Sequence, residues 1–170
     1  MKYKVGIFDS GIGGFTVLKT LLLQRKDVEI LYLADLARNP YGDRTTQEIR
    51  VGAYEICRWF KGKNIDALLI ACNTTNSCAL DILHKNLNIP CFDLINSVSR
   101  IISSNRVGVL ATSATVRSCF YKKTMELRGK KIKVFQQPCP EFVGEIEKIP
   151  LNFKKLDSLS DCYLQDLLKN

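Results

Sequence analysis

Residues 67–75 are Ala67-Leu68-Leu69-Ile70-Ala71-Cys72-Asn73-Thr74-Thr75, in which five apolar residues run directly into a cysteine and small polar residues. An apolar run of this length, followed by polar residues, predicts a buried parallel strand. Cys72 would then lie just past the carboxyl end of that strand, at the edge where open α/β sheets bind ligands. We therefore expect a thiol that has polar neighbours, reaches solvent and can ionise. The alternative is a small core residue, because free cysteine is among the most buried residue types.

A glycine-rich turn near the N-terminus also lies between a predicted strand and a predicted helix. Residues 4–8 predict the first strand, 9–14 form the turn, and 15–24 have apolar residues at helical spacing. Backbone N–H groups at such a helix start suit a carboxylate or a phosphate. The turn differs from a dinucleotide fingerprint because Thr16 takes the third glycine position and Asp9 would repel a pyrophosphate. Nucleotide binding is therefore not favoured.

The remainder of the chain alternates in the same way. Thr45 and Glu48 have the spacing of a capping box and predict the start of a helix that ends near Gly62. Further strands are predicted at residues 29–33, 91–95, 106–111 and 131–135. Residues 73–77 lead into a helix that carries Leu80, Leu83 and Leu87, residues 96–104 predict a short helix or a crossover, and further helices are predicted at about 115–128, 141–148 and 158–169. This alternation predicts an α/β fold with a parallel sheet and covering helices. We expect a first α/β domain over residues 1–95 and a partial second one over 96–170.

Composition narrows the class of protein. The 170 residues are 46% hydrophobic and 25% charged, which is typical of a globular chain, and no apolar run has the length of a membrane span. The N-terminus leads straight into a strand pattern without a signal peptide, so we expect a cytoplasmic protein that does not bind a membrane. The net charge of +8 comes from scattered lysine pairs, which favour a solvated surface over a face that binds nucleic acid.

The cysteines argue against a metal or disulfide framework. There are 7 of them, an odd number, none with C-x-x-C spacing, and His84 is the single histidine of the sequence. We expect reduced thiols and no metal site. His84 falls inside a predicted helix well after the Cys72 loop, so a surface position is favoured over a role as the base for Cys72. A hydrolytic triad therefore has no histidine partner.

Four loops should converge at the carboxyl edge of the sheet. They offer a thiol, a carboxylate, hydroxyls, an amide and backbone N–H groups, and they comprise Asp9-Ser10, Pro40-Tyr41-Gly42, Cys72-Asn73-Thr74 and Thr112–Thr115. This set suits a small zwitterion, because hydroxyls and N–H groups can take a carboxylate while Asp9 balances an ammonium. The block at 67–78 is loosely echoed at 107–118, so two α/β units could face one cleft.

Several segments together carry a resemblance to a known family. They are Gly6–Gly14, Tyr32–Asp35 with Pro40–Gly42, Ala71–Thr74, and more weakly Gly108–Thr112 with Thr115, and Cys139-Pro140 followed by Glu147. In order and approximate spacing they resemble the glutamate racemases of the aspartate/glutamate racemase superfamily.

The resemblance implies an isomerase that interconverts L- and D-glutamate without a cofactor and supplies D-glutamate for peptidoglycan, and hence for the cell wall and cell shape. In that family two cysteines face opposite sides of the substrate Cα, and Cys72 matches the first, with Asp9 assisting it. Glu147 is expected as a second-shell acid. The resemblance also leaves a homodimer open as the assembly. The implied substrate-binding residues are Asp9, Ser10, Pro40, Tyr41, Gly42, Asn73, Thr74, Thr112 and Thr115.

One departure from the family is large. The second family cysteine lies in a Cys-Thr-His motif, and no cysteine of this chain is followed by Thr-His. The family runs on for roughly another third of its length, so we expect a truncated racemase. The alternative to activity is a catalytically inactive remnant, or an amino-acid-binding protein that keeps half of the pocket. The choice between glutamate and aspartate as substrate is left open.

Overall fold

Strands and helices alternate along the chain in the computed structural model, which describes residues 2–127 and 132–169. The strands are β1 (Tyr3–Asp9), β2 (Val28–Ala34), β3 (Ala67–Ile70), β4 (Cys91–Asp93), β5 (Arg106–Ala111) and β6 (Lys133–Pro138). The helices are α1 (Phe15–Gln24), α2 (Thr46–Lys61), α3 (Asn73–Asn86), α4 (Leu94–Ile101), α5 (Ser113–Ser118), α6 (Phe120–Glu126), α7 (Pro140–Ile146) and α8 (Phe153–Leu168). The predicted α/β class is confirmed.

The described strands form two sheets. The first has the order β2-β1-β3-β4, and β5 pairs with β6 in the second. Every pairing is parallel, as the alternation of strands and helices predicts. The carboxyl ends of β1 and β3 are adjacent, since Phe8 is paired with Ile70. The division of the chain into domains at residues 95 and 96 stays a prediction.

The main core lies between β3 and helices α2 and α3. Leu68 and Ile70 of β3 are buried in one cluster with Phe60 of α2 and Leu83 of α3. Burying side chains of this size contributes roughly 1.5–3 kcal/mol each. The continuous apolar run quoted first is therefore a central strand, and its burial fixes the position of Cys72.

Side-chain caps decide where several helices begin. The capping box of α2 is confirmed: the Thr45 hydroxyl oxygen accepts the N–H of Glu48, and the Glu48 carboxylate accepts the N–H of Thr45. The strand predicted over 91–95 ends at Asp93, because the Asp93 carboxylate accepts the N–H of Asn96 at 2.7 Å and starts α4. Asn152 caps α8 in the same way, so that helix begins at Phe153 rather than at residue 158.

The helix predicted over 115–128 was wrong as one element. Cys119 adopts a left-handed conformation with φ of 55°, and this separates α5 from α6. The strand predicted over 131–135 is β6, displaced towards the C-terminus. The predicted positions at 128 and 131 lie outside the described residues. Among the described helices, none combines the length and the apolar character that crossing a membrane requires.

Candidate active site

A cavity of about 250 Å³ opens where β1, β3 and β5 end. Several elements build it: the glycine turn after β1, the first turn of α3, the start of α5 and the end of α7. Seven of the predicted site residues line this cavity, namely Asp9, Ser10, Cys72, Asn73, Thr74, Thr112 and Glu147. The carboxyl edge of the sheet thus brings together side chains that are far apart in sequence.

Cys72 lies at the N-cap of α3 with its sulfur held from two sides. The backbone N–H of Thr75 donates to Sγ at 3.4 Å, and the thiol lies 3.5 Å from the hydroxyl oxygen of Ser10. The residue is only 3% exposed. The expectation that the thiol reaches bulk solvent was therefore wrong, because the glycine turn and the first turn of α3 enclose it. Its remaining access is through the cavity that it lines.

Burial governs the ionisation of the two groups at the centre of the cavity. It raises the pKa of the Cys72 thiol, and the Asp9 carboxylate raises it further, against the opposing hydrogen bonds from Ser10 and Thr75. Burial also raises the pKa of Asp9, while backbone N–H groups of the glycine turn oppose that rise. These surroundings favour a protonated thiol, and a cation placed between the two groups would favour the thiolate.

The glycine turn holds the carboxylate of the protein itself. The N–H of Gly14 donates to Asp9 Oδ2 at 2.7 Å, so the predicted anion cradle is taken by Asp9. A Cβ on Gly14 would lie 2.6 Å from the Tyr32 hydroxyl oxygen and 2.8 Å from Asp9 Cβ. Glycine is required at this position because the turn passes so close to β1 and β2. The turn thus orients a carboxylate towards the cavity.

A chain of hydroxyl groups joins the two units at the cavity. Thr74 and Thr112 share a hydrogen bond of 2.9 Å between their Oγ1 atoms, and Thr112 Oγ1 donates to Thr115 Oγ1 at 3.0 Å. Thr115 is fully buried behind Thr112 and does not line the cavity. Thr112 caps α5 as Cys72 caps α3, each accepting the N–H three residues on. The echo between residues 67–78 and 107–118 thus has a structural counterpart.

The Pro40-Tyr41-Gly42 loop lies behind the cavity rather than in its wall. The Tyr41 ring is 2% exposed and its hydroxyl donates to the carboxylate of Asp35. A Cβ on Gly42 would lie 2.9 Å from Thr112 Cβ, so the loop backs directly onto that residue. Pro40 is exposed. In this structure the loop supports Thr112, and none of its three residues contacts the cavity.

Glu147 lines the cavity directly. We had expected its carboxylate to lie behind the residues that contact the ligand. Its carboxylate accepts a hydrogen bond from the Asn39 side chain, and it packs so closely on the glycine turn that a Cβ on Gly11 would collide with it. The described lining contains two carboxylates and no lysine or arginine. This electrostatic environment favours a ligand with a cationic group. No set of three or more His, Cys, Asp or Glu side chains within the described ranges could hold a metal ion.

Sequence reasoning missed several apolar residues of the wall, among them Leu94, Val143 and Ile146. Leu94 could have been found from the Asp93 cap, which places it immediately after β4 at the same edge of the sheet. Val143 and Ile146 have no signal in the sequence, because the folding of α7 back over the edge brings them to the cavity. Their contribution is to exclude water from one side.

Comparison with known proteins gives consistent results. No protein-family model matches the chain. A glutamate racemase of Prochlorococcus marinus strain NATL2A is 51% identical over 98% of the chain, which covers 63% of that protein. The structure of glutamate racemase isoform RacE1 from Bacillus anthracis superimposes with a TM-score of 0.91 at 28% identity, covering 99% of this chain and 65% of that one.

A glutamate racemase of Francisella tularensis, solved in complex with D-glutamate, gives a TM-score of 0.90 at 34% identity. There the match covers 96% of this chain and 63% of that one. The chain thus spans somewhat less than two thirds of the length of the relatives that it matches. By sequence and by fold, the chain is similar to glutamate racemases over nearly its whole length, as its motifs indicated.

Proposed function

We propose that the chain binds glutamate in the cavity at the carboxyl edge, and that Cys72 transfers the proton on Cα without a cofactor. One observation carries this proposal: the Cys72 sulfur shares a small cavity with the Asp9 carboxylate and lies 3.5 Å from the Ser10 hydroxyl oxygen. A thiol has a pKa close enough to neutrality to act as acid or base, provided that its surroundings shift with the ligand.

The charges of the cavity fit the two ends of an amino acid. Asp9 and Glu147 provide negative charge for the ammonium group. The described lining has no lysine or arginine that would compete with the ammonium group for these carboxylates. The hydroxyl of Ser10 and the side-chain amide of Asn73 can donate to the carboxylates. The Francisella tularensis relative was solved with D-glutamate, which supports glutamate as the ligand class.

Ligand binding would also activate the thiol. The ammonium group beside Asp9 offsets the negative charge that raises the pKa of Cys72. The thiol first loses its own proton to solvent through the cavity, and the thiolate so formed takes the proton from Cα. The resulting thiol exchanges that proton with solvent and then returns a proton to the same face. In this scheme glutamate binding is coupled to ionisation of the Cys72 thiol, which is otherwise protonated and unreactive.

Inversion at Cα requires an acid or base on each face of the substrate. Cys72 contributes the single thiol among the described residues that line the cavity. We therefore assign to these 170 residues one half of a racemisation site, which exchanges the α-proton with retention. In a site completed on the other face, the product is D-glutamate, the form used in peptidoglycan.

A second candidate function is amino-acid binding without chemistry. It is favoured by the same single thiol and by the burial that raises its pKa. The two candidates differ in one observable, which is whether solvent deuterium enters the Cα position of bound glutamate.

The experiment incubates the chain with L- or D-glutamate in D₂O and follows the Cα proton by NMR. We expect loss of the proton from one enantiomer, no change of optical rotation, and no exchange in Cys72→Ala. Cys162→Ser is the matched control, because Cys162 lies exposed on α8 away from the cavity. Exchange that persists in Cys72→Ala would refute the role of this thiol. Glutamate binding with no exchange in the wild-type chain would leave the binding function in its place.

A further inference from the structure

The Tyr121 side chain contacts one wall residue of the candidate active site from behind. Its hydroxyl donates to Asn73 Oδ1 at 3.0 Å, although the two residues are 48 positions apart in the sequence. Asn73 lines both the active-site cavity and a second cavity of about 300 Å³, whereas Tyr121 lines the second cavity but not the active-site cavity. The hydrogen bond therefore reaches Asn73 from the side of the second cavity.

The break between α5 and α6 brings Tyr121 to this position. Cys119 has a φ of 55°, so α5 ends before it and α6 begins at the next residue, Phe120. A left-handed residue changes the direction of the chain. Tyr121 thus lies in the first turn of a short helix that packs against α3, and α3 itself begins at Asn73.

The surroundings of the Tyr121 hydroxyl keep it as a hydrogen-bond donor. Burial raises the pKa of Tyr121, and the nearby Asp93 carboxylate raises it further, so the hydroxyl retains its proton. Both oxygens of that carboxylate already accept hydrogen bonds from Asn96, at 2.7 Å from its backbone N–H and at 3.0 Å from its side-chain amide. The Tyr121 proton is therefore directed to Asn73 Oδ1.

This hydrogen bond decides which end of the Asn73 side chain a ligand meets. A carboxamide has an acceptor oxygen on one side and a donor amino group on the other. With Oδ1 held on the side of the second cavity, Nδ2 is directed towards the active-site cavity. Among the residues that the structure describes, none accepts a hydrogen bond from Asn73 Nδ2. The protons on Nδ2 are thus available to a ligand carboxylate.

We propose that Tyr121 is a positioning residue for glutamate, whose hydroxyl fixes the Asn73 carboxamide so that its donor end faces the ligand carboxylate. This proposal rests on the function proposed above, because the ligand and the cavity are the same. Tyr121 itself does not touch the ligand. Its effect falls on binding, because a carboxamide that is already oriented loses less freedom when glutamate binds.

The test replaces Tyr121 by phenylalanine, which removes the hydroxyl and keeps the ring. The freed carboxamide must then be ordered when glutamate binds, so we expect binding to weaken by about three- to tenfold in isothermal titration calorimetry. In the D₂O exchange assay, KM should rise by the same factor. The saturated exchange rate should stay within about twofold of the wild-type rate, because the bound arrangement around Cys72 is unchanged.

Two controls separate positioning from a general loss of structure. Tyr163→Phe removes the hydroxyl of another buried tyrosine, which donates to Glu141 at 3.3 Å, and it should leave the affinity for glutamate unchanged. In an Asn73→Ala background, Tyr121→Phe should weaken binding no further, because Tyr121 acts through Asn73. An equal loss in that background would show that Tyr121 acts by another route and would overturn the proposal.

A measurement without ligand tests the orientation of the side chain directly. In ¹⁵N relaxation, the order parameter of the Asn73 side-chain amino group should be lower in Tyr121→Phe than in the wild-type chain, because the carboxamide is free to rotate. An order parameter that is the same in both proteins would overturn the proposal. So would an affinity of Tyr121→Phe for glutamate within about twofold of the wild-type value.

Failure of the positioning role is distinguishable from failure of the proposed function. If the wild-type chain does not bind glutamate in the calorimeter, the proposed function fails and the positioning role fails with it. If the wild-type chain binds and Tyr121→Phe binds equally well, the positioning role alone is refuted. Calorimetry does not depend on exchange of the α-proton, so it decides the role of Tyr121 even where Cys72 transfers no proton.

Discussion

Replacing Tyr41 by phenylalanine tests how the loop behind the cavity is held. The Tyr41 hydroxyl donates to the buried carboxylate of Asp35, which also accepts a 2.7 Å bond from Arg38. Phenylalanine keeps the buried ring in the core beside Phe8, so the apolar contribution is nearly unchanged. What is lost is one hydrogen bond to a charged group, about 1.5–3 kcal/mol. We therefore expect the free energy of unfolding to fall by about 2 kcal/mol.

The assay is urea unfolding followed by circular dichroism, supported by thermal melting. For a chain of this size, a loss of about 2 kcal/mol lowers the melting temperature by about 4–8 °C. Tyr54→Phe is the matched control, since Tyr54 is half-exposed on α2, and it should change stability by less than about 0.5 kcal/mol. A double-mutant cycle with Asp35→Asn should give a coupling energy of about 1–3 kcal/mol. A loss below about 0.5 kcal/mol for Tyr41→Phe, or no coupling, would refute the reasoning.

Three further predictions concern other parts of the fold. Thr45→Ala removes the capping box of α2 and should lower the unfolding free energy by about 1 kcal/mol, whereas no measurable loss would contradict the cap. Leu68→Ala in the buried strand β3 should cost about 2–5 kcal/mol in denaturant unfolding, against less than about 0.5 kcal/mol for the exposed Leu23→Ala. Burial raises the pKa of Cys57 to about 11, so its contribution to stability is complete below pH 9 and is lost as the pH rises towards 11. Between pH 8 and pH 10.5 the free energy of unfolding should decline by roughly 1–2 kcal/mol less in Cys57→Ala than in the wild-type protein. An equal decline in both proteins would contradict this.

The glycine turn shows that the sequence can predict a local structure without predicting which group that structure binds. The order strand, glycine turn, helix was predicted correctly over residues 4–24, since apolar periodicity and glycine act locally. What binds in the turn was not predicted, because the N–H of Gly14 is taken by Asp9. The sequence places the two residues five apart, and only the folded backbone decides that one donates to the other.

The sequence by itself determined the α/β class, the buried strand before Cys72 and the similarity to glutamate racemases. Hydrophobic periodicity, capping residues and motif order are properties of neighbouring residues, so they can be recognised without coordinates. The tertiary structure alone decided that Cys72 is enclosed, that Glu147 reaches the cavity and that Tyr41 lies behind it. It also showed that, of the described strands, β6 alone pairs with β5. These features arise from contacts between distant segments, and packing in three dimensions sets their burial, their distances and their pairing.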